Sequence, residues 1–195
     1  MRMICIGDSL TYGFGVPVES SWVEILNRES RAQVINKGIS GDTSGGMLAR
    51  FSRDALDERP DRIMIMGGAN DFILGCDSKV VRANLSAMIH QAYAAKIKVL
   101  LGIQIDCDTP RVRDDWRAIA DFEKVSEKTR EMAQWLPEFC AVFQIPYINL
   151  YERFREQIAG AEQDYYIDGI HPNEKGHRLM ADILREDGAV GGYFQ

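Results

Sequence analysis

The sequence predicts an α/β fold in which one parallel sheet is covered by helices on both faces. Short apolar runs alternate along the chain with longer segments of helical periodicity, which is the order typical of parallel strands joined by crossover helices. The apolar runs are nearly continuous, as expected for strands that are buried on both sides. Neither repeats nor linker-like stretches interrupt this pattern, so we expect one domain over residues 1–195.

Five apolar runs are the predicted strands. In chain order they span residues 3–6, 33–36, 63–66, 99–103 and 147–149. In a doubly wound sheet, ligands bind outside the carboxyl ends of the strands. The residues that follow each strand are therefore the first candidates for a functional site.

The predicted helices lie between these strands and are marked by apolar residues at helical spacing. Ser20 or Ser21 is expected to cap the first, which begins at Trp22, and Asp77 or Ser78 is expected to cap the third. A proline, Pro137, is expected to break or kink the fourth helix. The apolar positions that define the five helices span residues 22–29, 47–55, 81–92, 125–143 and 179–184.

The composition excludes several classes of protein. The chain has 23 basic and 29 acidic residues and a net charge of −6, so we expect no nucleic-acid partner. No apolar run approaches the roughly 18 residues of a membrane helix, so we expect no stable membrane insertion. The cysteines lie far apart and form no C-x-x-C pair, and we expect them to be reduced thiols: Cys5, Cys76, Cys107 and Cys140.

The first residues of the chain bear on the cellular compartment in which the protein is expected. The first residues already read as a core strand, and no charged segment, apolar segment and cleavage site precede it. We therefore expect a cytoplasmic protein, with an exported and trimmed chain as the alternative.

Polar and glycine-rich segments follow three of the predicted strands, at residues 7–11, 38–44 and 67–71, and a further polar segment spans residues 168–173. Together they supply a hydroxyl, backbone amides, a side-chain amide, a carboxylate and an imidazole. Acyl transfer needs those groups as nucleophile, oxyanion donors, orienting group and base. Each residue alone is typical of a turn or a helix cap, but their combination favours a hydrolase.

The segment Gly-Asp-Ser-Leu at residues 7–10 resembles the signature of the GDSL hydrolases, also called SGNH hydrolases. The segments 39–44 and 168–173 are most similar to the branch of multifunctional thioesterase, arylesterase and lysophospholipase enzymes. The resemblance implies a three-layer α/β/α sandwich with a five-stranded parallel, flavodoxin-like sheet, and hydrolysis of esters or thioesters without a metal or other cofactor. Four blocks match the family in order, at Ser9, Gly41, Asn70 and the pair Asp168 and His171.

Each matched residue has a chemical task in such a mechanism. Ser9 is the candidate nucleophile, and His171 is the candidate base because imidazole takes up protons near neutral pH. Asp168 is expected to hold the imidazole through its Nδ1–H. The backbone N–H groups of Ser9 and Gly41 and the side chain of Asn70 are expected to bind the oxyanion.

The neighbours of these residues have other predicted tasks. Asp8 and Asp71 are expected to hold the loops through hydrogen bonds to backbone amides. His90 and His177 are expected to be structural or exposed, because neither spacing suits a metal site.

The substrate side is less marked in the sequence. Phe14, Phe72 and Ile73 are the candidates for binding a small-molecule ester or thioester, with burial in the core as the alternative for the last two. Residues 106–121 follow the fourth strand, so they form either a flap at the site or a solvated loop that leads into the next helix.

A second function remains open at this point. On a flavodoxin-like fold, Ser9, Thr11 and Gly13 could cradle a phosphate, which describes a non-catalytic binder of a nucleotide or flavin. An inactive relative that binds an acylated ligand is a third possibility. The nucleotide-binding hypothesis leaves Asn70 and the carboxylate and imidazole near the C-terminus without a task.

Overall fold

The structure, a computed structural model that describes residues 1–194, is built on a sheet of five parallel strands. Their order across the sheet is β2-β1-β3-β4-β5, so the predicted α/β fold is confirmed. Each strand contains the predicted run and exceeds it by no more than two residues. The strands are β1 (Arg2–Gly7), β2 (Gln33–Gly38), β3 (Arg62–Met66), β4 (Lys98–Ile103) and β5 (Tyr147–Asn149).

Helices cover both faces of the sheet. Successive side chains of β1 point to opposite faces of the sheet. Ile4 and Ile6 pack in one buried cluster, and Met3 and Cys5 pack in another on the opposite face, so both faces need a cover of helices. Helices α3, α5 and α7 contribute to the first cluster, and α2, α8 and α9 to the second. The helices of residues 1–194 are α1 (Ser9–Tyr12), α2 (Trp22–Glu29), α3 (Ser44–Phe51), α4 (Ala69–Ile73), α5 (Ser78–Ala94), α6 (Asp114–Arg117), α7 (Phe122–Phe143), α8 (Leu150–Ile158) and α9 (Glu174–Glu186).

The helix caps agree with the sequence prediction at two starts. Ser21 caps α2, where its side chain accepts a hydrogen bond from Glu24 N, and Asp77 caps α5 through Lys79 N at 2.8 Å. Capping side chains satisfy backbone N–H groups that the first helical turn leaves free. Both helices therefore begin directly after a polar capping residue that precedes the apolar residues at helical spacing.

The prediction of a break at Pro137 was wrong. Helix α7 continues through this residue to Phe143, with Leu136 and Cys140 buried on either side of the proline. The burial of this face outweighs the backbone hydrogen bond that proline removes. The second predicted helix, expected over residues 47–55, differs in its last turn. Helix α3 ends at Phe51, and a single π turn over Ser52–Leu56 follows it.

Among the described residues, no helix combines the length and the apolar character that crossing a bilayer requires. Cys5, Cys76, Cys107 and Cys140 are all free thiols, as expected from their spacing.

Candidate active site

Three side chains from distant parts of the chain form a hydrogen-bonded series at the carboxyl end of β1. His171 Nε2 lies 3.2 Å from Ser9 Oγ, and His171 Nδ1 lies 2.9 Å from Asp168 Oδ2. All three residues are buried. The structure thus brings together the predicted nucleophile, base and orienting carboxylate.

Local structure fixes Ser9 and the tight turn that carries the other two. Ser9 is the first residue of α1, and Asp8, between β1 and this helix, caps it by accepting a hydrogen bond from Leu10 N at 2.9 Å. In the turn, Asp168 Oδ1 accepts from Ile170 N at 3.0 Å and His171 N at 2.9 Å. Oδ2 is thereby left to face the imidazole.

The electrostatics of the turn favour an ionised Asp168. Burial raises the pKa of this carboxyl, but hydrogen bonds from the side chain and backbone of His171 and from Ile170 N outweigh burial. Its pKa therefore lies well below its usual range. A carboxylate in this position can hold the Nδ1–H tautomer and leave Nε2 free to accept a proton from Ser9.

Trp116, on the short helix α6, is a member of the site that sequence reasoning missed. Its Nε1–H donates to Asp168 Oδ2 at 3.0 Å, and its ring lies 5.8 Å from the imidazole of His171, centroid to centroid. Phe14 lies nearer to the same imidazole, with 4.5 Å between the centroids. From the sequence, Trp116 could be assigned only to the segment 106–121. Its contact with Asp168 joins residues 52 positions apart, so no local sequence pattern indicates it.

The flap over residues 106–121 is held against this turn. Asp108 N donates to Gly169 O at 2.8 Å, and Arg113 N donates to Asp168 O at 3.0 Å. Gly169 has φ +83°, and a Cβ here would lie 2.5 Å from Val112 N, so only glycine allows the flap to approach this closely. The segment therefore contacts the turn through its backbone, although most of its side chains are exposed.

The groups expected to bind an oxyanion follow three neighbouring strands, β1, β2 and β3. Ser9 begins α1, Gly41 lies in the loop before α3, and Asn70 lies on α4. Within the described part of the chain, the backbone N–H groups of Ser9 and Gly41 donate to no other residue. Gly41 has φ +81°, a conformation that favours glycine. Asn70 Nδ2 donates to Asp42 O at 2.8 Å and retains a second N–H. Donors without an acceptor in the protein are what an oxyanion site requires.

A buried arginine, Arg50, holds the loop that carries Gly41. Its Nε lies 2.7 Å from Asp42 Oδ2, and its Nη atoms donate to Gly7 O at 3.0 Å and Lys37 O at 2.8 Å. The guanidinium thus ties the ends of β1 and β2 to the loop between β2 and α3. A guanidinium has several N–H donors in fixed directions, so it can donate to several acceptors at once.

Asp71 fixes the same loop from the other side, as expected from the sequence. Its carboxylate accepts hydrogen bonds from Ser44 N at 2.7 Å and Ser44 Oγ at 2.6 Å. Asn84 Nδ2 donates to Ser44 Oγ at 2.9 Å and completes this network. The start of α3 is therefore bound to α4, the short helix that carries Asn70.

Asp8 is a fully buried carboxyl beside Ser9. Only its Oδ1 has a donor among the described residues, and Oδ2 has none. Burial raises the pKa of Asp8 to about 6, and the carboxyls of Asp42 and Asp71 add to this effect. Leu10 N and His171 act in the opposite direction. Asp8 serves as the cap of α1, in agreement with the sequence prediction.

A cleft opens beside Ser9. Ile73 lines it, whereas Phe72 does not, which favours the alternative that Phe72 packs in the core. The neighbouring side chains of helix α4 point in different directions, and Phe72 is packed in the core with only 4% of its surface exposed. Phe14 is 40% exposed and lies over His171.

The remaining histidines are structural or exposed, as expected. His177 is buried, accepts a hydrogen bond from Trp22 N at 3.4 Å, and has a pKa lowered by burial to about 4. His90 is on the surface of α5. Over residues 1–194, no three side chains of His, Cys, Asp or Glu are grouped so that they could hold a metal ion.

Comparison with known proteins agrees with this geometry. Residues 5–179 match the GDSL-like lipase/acylhydrolase family. An arylesterase of Vibrio mimicus is 28% identical over 95% of this chain and 87% of its own length. The thioesterase 1/protease 1/lysophospholipase L1 of Escherichia coli K12 is 26% identical over 93% of this chain and 80% of its own.

A solved structure supports the same relationship. The crystal structure of a member of the lipolytic protein G-D-S-L family from Veillonella parvula superposes with a TM-score of 0.82 and 30% identity. The superposition covers 96% of this chain and 98% of the other.

Proposed function

The chain belongs to the GDSL-like lipase/acylhydrolase family, and on that premise we propose that this hydrolase of esters or thioesters works through an acyl-enzyme on Ser9. The observation that carries the proposal is the series from Asp168 through His171 to Ser9, with contacts of 2.9 and 3.2 Å. A serine hydroxyl needs an adjacent base to act as a nucleophile, and here the base is itself oriented by a carboxylate.

The reaction proceeds in two halves. Ser9 Oγ forms a bond to the acyl carbon while its proton passes to His171 Nε2, and the carbonyl oxygen takes up the electron pair of the C=O bond. Collapse of this intermediate breaks the bond to the alcohol or thiol, which leaves with the proton from the imidazolium. Water then attacks the acyl-enzyme by the same route, releases the carboxylic acid and restores the hydroxyl.

The oxyanion is bound by the N–H groups of Ser9 and Gly41 and the free N–H of Asn70. These donors are held by the loop network around Arg50 and Asp71, so they need not reorganise as charge develops on the oxygen. Preorganised donors of this kind stabilise the transition state more than the bound substrate.

Trp116 is a positioning residue in this proposal. It donates to the oxygen of Asp168 that also faces the imidazole, and it lines the cleft in which the acyl group would lie. A bound substrate therefore contacts a side chain that orients the carboxylate.

The alternative of a nucleotide or flavin binder finds little support in the geometry. Of the three residues that would cradle a phosphate, Thr11 and Gly13 are buried, and only Ser9 lines the cleft. An inactive relative that binds an acylated ligand shares the cleft but does not require a reactive serine.

Labelling with a fluorophosphonate tests the proposal against both binders. The reagent forms a covalent bond only with an activated serine, so we expect one label per chain, located on Ser9 by peptide mass spectrometry. Ser9→Ala should remain unlabelled, and Ser40→Ala should label like the wild type. An unlabelled wild-type protein, or a label on another serine, would overturn the assignment.

We also propose that the protein works in the cytoplasm. The support is chemical, since Cys5, Cys76, Cys107 and Cys140 are free thiols, which is typical of reducing compartments. Fractionation of the source cells tests this, and recovery from an exported fraction would contradict it.

A further inference from the structure

An uncharged apolar segment is exposed shortly after the helix that begins at Ser9. Residues 14–18 read Phe-Gly-Val-Pro-Val and contain no charged or polar side chain. Phe14 and Val18 are 40% and 76% exposed, and Val16 between them is half-buried. A run of exposed apolar residues is unfavourable in water and is typical of a surface that binds another molecule. Folding alone therefore does not account for the composition of this segment.

Ile167 extends this surface from a distant part of the chain. It is 46% exposed, and a Cβ on Gly15 would lie 2.6 Å from its Cδ1, so its side chain packs against the backbone of Gly15. Residues 14–18 and Ile167 thus form one exposed apolar surface, which we call the apolar lip. Two segments that are far apart in the sequence contribute to it.

Backbone hydrogen bonds fix the apolar lip to the nucleophile and to the base. Phe14 N donates to Ser9 O at 3.1 Å, and Ile167 N donates to His171 O at 2.8 Å. The ring of Phe14 also lies 4.5 Å from the imidazole of His171, centroid to centroid. The apolar lip therefore has a fixed position relative to the atoms that react.

The apolar lip and the cleft are separate surfaces beside the same imidazole. Trp116 lines the cleft and lies 5.8 Å from the ring of His171, whereas Phe14 and Ile167 do not line the cleft. An ester or thioester has two parts, one on each side of the bond that breaks. If the acyl part lies in the cleft, the apolar lip is the surface beside His171 that remains for the alcohol or thiol.

We propose that the apolar lip binds the leaving group and that Phe14 and Ile167 determine which leaving groups the enzyme prefers. This inference rests on the proposed function, in which His171 passes a proton to the leaving oxygen or sulfur and that atom must lie beside the imidazole. The substrate class is an ester or thioester whose alcohol or thiol has a neutral, apolar body. The apolar lip itself offers no ion pair to a charged leaving group.

The experiment measures kcat/KM for alkyl acetates from ethyl acetate to hexyl acetate, by titration of the acid released. These esters share one acyl group and have leaving groups of similar basicity, so they differ mainly in apolar length. A fully buried methylene group contributes about fourfold. On a half-open surface we therefore expect hexyl acetate to exceed ethyl acetate by about tenfold. In Phe14→Ala this ratio should fall by about fivefold.

Two further variants separate the contact with the leaving group from other effects. Phe14→Leu keeps an apolar side chain without the aromatic ring, so we expect it to retain most of the ratio. Phe143→Ala is the matched control, because it removes a ring that is similarly exposed, at 47%, from helix α7. We expect it to leave the ratio unchanged.

Ile167→Ala tests the proposal from the other side of the apolar lip and should also lower the ratio. It replaces Phe14→Ala if that variant does not fold, which circular dichroism and thermal unfolding would reveal. The backbone hydrogen bond from Ile167 N to His171 O is kept in this variant, so the turn that carries the base should retain its position.

Three results would overturn the proposal. The first is a wild-type protein that does not distinguish hexyl from ethyl acetate. The second is an unchanged ratio in folded Phe14→Ala, including an equal loss of activity on both esters, which is the effect of merely orienting the imidazole. The third is a Phe14→Ala protein in which the preference among ethyl esters from acetate to hexanoate changes instead, since that would place the acyl group on the apolar lip.

The two proposals fail in different ways. If Ser9 carries no label and Ser9→Ala retains turnover, the proposed function is wrong, whatever the preference among alkyl acetates. If Ser9 is labelled and the ratio does not move, only the role of the apolar lip is wrong.

Discussion

Trp116 Nε1 donates to Asp168 Oδ2 at 3.0 Å, and this oxygen also lies 2.9 Å from His171 Nδ1. The indole thus shares the acceptor that orients the imidazole. Two backbone hydrogen bonds, from Asp108 N to Gly169 O and from Arg113 N to Asp168 O, hold the flap in the position that allows this contact. The position of residues 106–121 and the orientation of the base are therefore linked.

Trp116→Phe keeps an aromatic ring in the cleft and removes only the donor. Without it, the negative charge on Asp168 acts more strongly on His171 and favours the imidazolium. The carboxylate also loses a donor that fixes its orientation, so we expect kcat to fall about fivefold, the effect of losing one net hydrogen bond. We expect the acid limb of kcat/KM to move to higher pH, because the imidazolium is favoured.

The pH profile of kcat/KM distinguishes this positioning role from a structural one. Trp135→Phe, on α7, is the control and should leave the limb in place. A Trp116→Phe protein with reduced stability but an unmoved limb would show that the indole only supports the fold.

Asn70→Ala removes a donor that acts mainly on charge in the transition state. We expect kcat to fall by about 10²–10³ with a smaller change in KM. Steady-state kinetics with a short p-nitrophenyl ester checks this. Unchanged kcat would mean that Asn70 serves only to hold the loop through its bond to Asp42 O.

Asp168→Asn keeps the shape of the turn but removes the charge that stabilises the imidazolium and favours the wrong tautomer. The loss of kcat can reach about 10⁴-fold, as in serine proteases, and we expect a smaller loss because a backbone carbonyl can orient part of the imidazole population. If Asp168 only caps the turn, the variant should lose about 1 kcal/mol of stability and turn over normally. Measuring kcat per folded molecule separates these outcomes.

His177 makes the fold sensitive to acid. Burial lowers its pKa to about 4 from an ordinary value of 6.5. Between these values the unfolded chain binds a proton that the folded chain does not, so stability falls as pH falls from 6.5 to about 4. The loss approaches about 3 kcal/mol at the lower end.

The variant His177→Asn retains an acceptor for Trp22 N and cannot take up the proton. Its unfolding free energy, measured in urea from pH 7 to 4, should therefore depend less on pH than that of the wild type. Asp8 acts in the opposite sense, since its pKa is raised to about 6, but it contributes equally to both proteins. Identical pH dependence in the two would contradict the assignment.

The sheet could be predicted from the sequence because burial on both faces leaves continuous apolar runs such as residues 63–66. The turn that holds Asp168 and His171 could be predicted for a similar reason, because the two residues are only three positions apart in the sequence. In each case the determining interactions lie close together in the chain or repeat along a strand.

Other features depend on contacts that have no local signal. Trp116 reaches Asp168 only because of the path of the flap. Phe72 and Ile73 differ by one position on a short helix, and the rotation of that helix decides which of them lines the cleft. Helix α8 was missed because Asn149 both ends β5 and caps the helix, so no loop separates them.

The turnover of Ser9→Ala is the most direct test of the central claim. The variant removes one oxygen from a buried position, and circular dichroism with thermal unfolding can establish that it folds. We expect kcat per folded molecule for a p-nitrophenyl ester to fall by at least about 10³-fold, because the remaining groups have no nucleophile to act on. Turnover comparable to the wild type in a folded Ser9→Ala protein would contradict it.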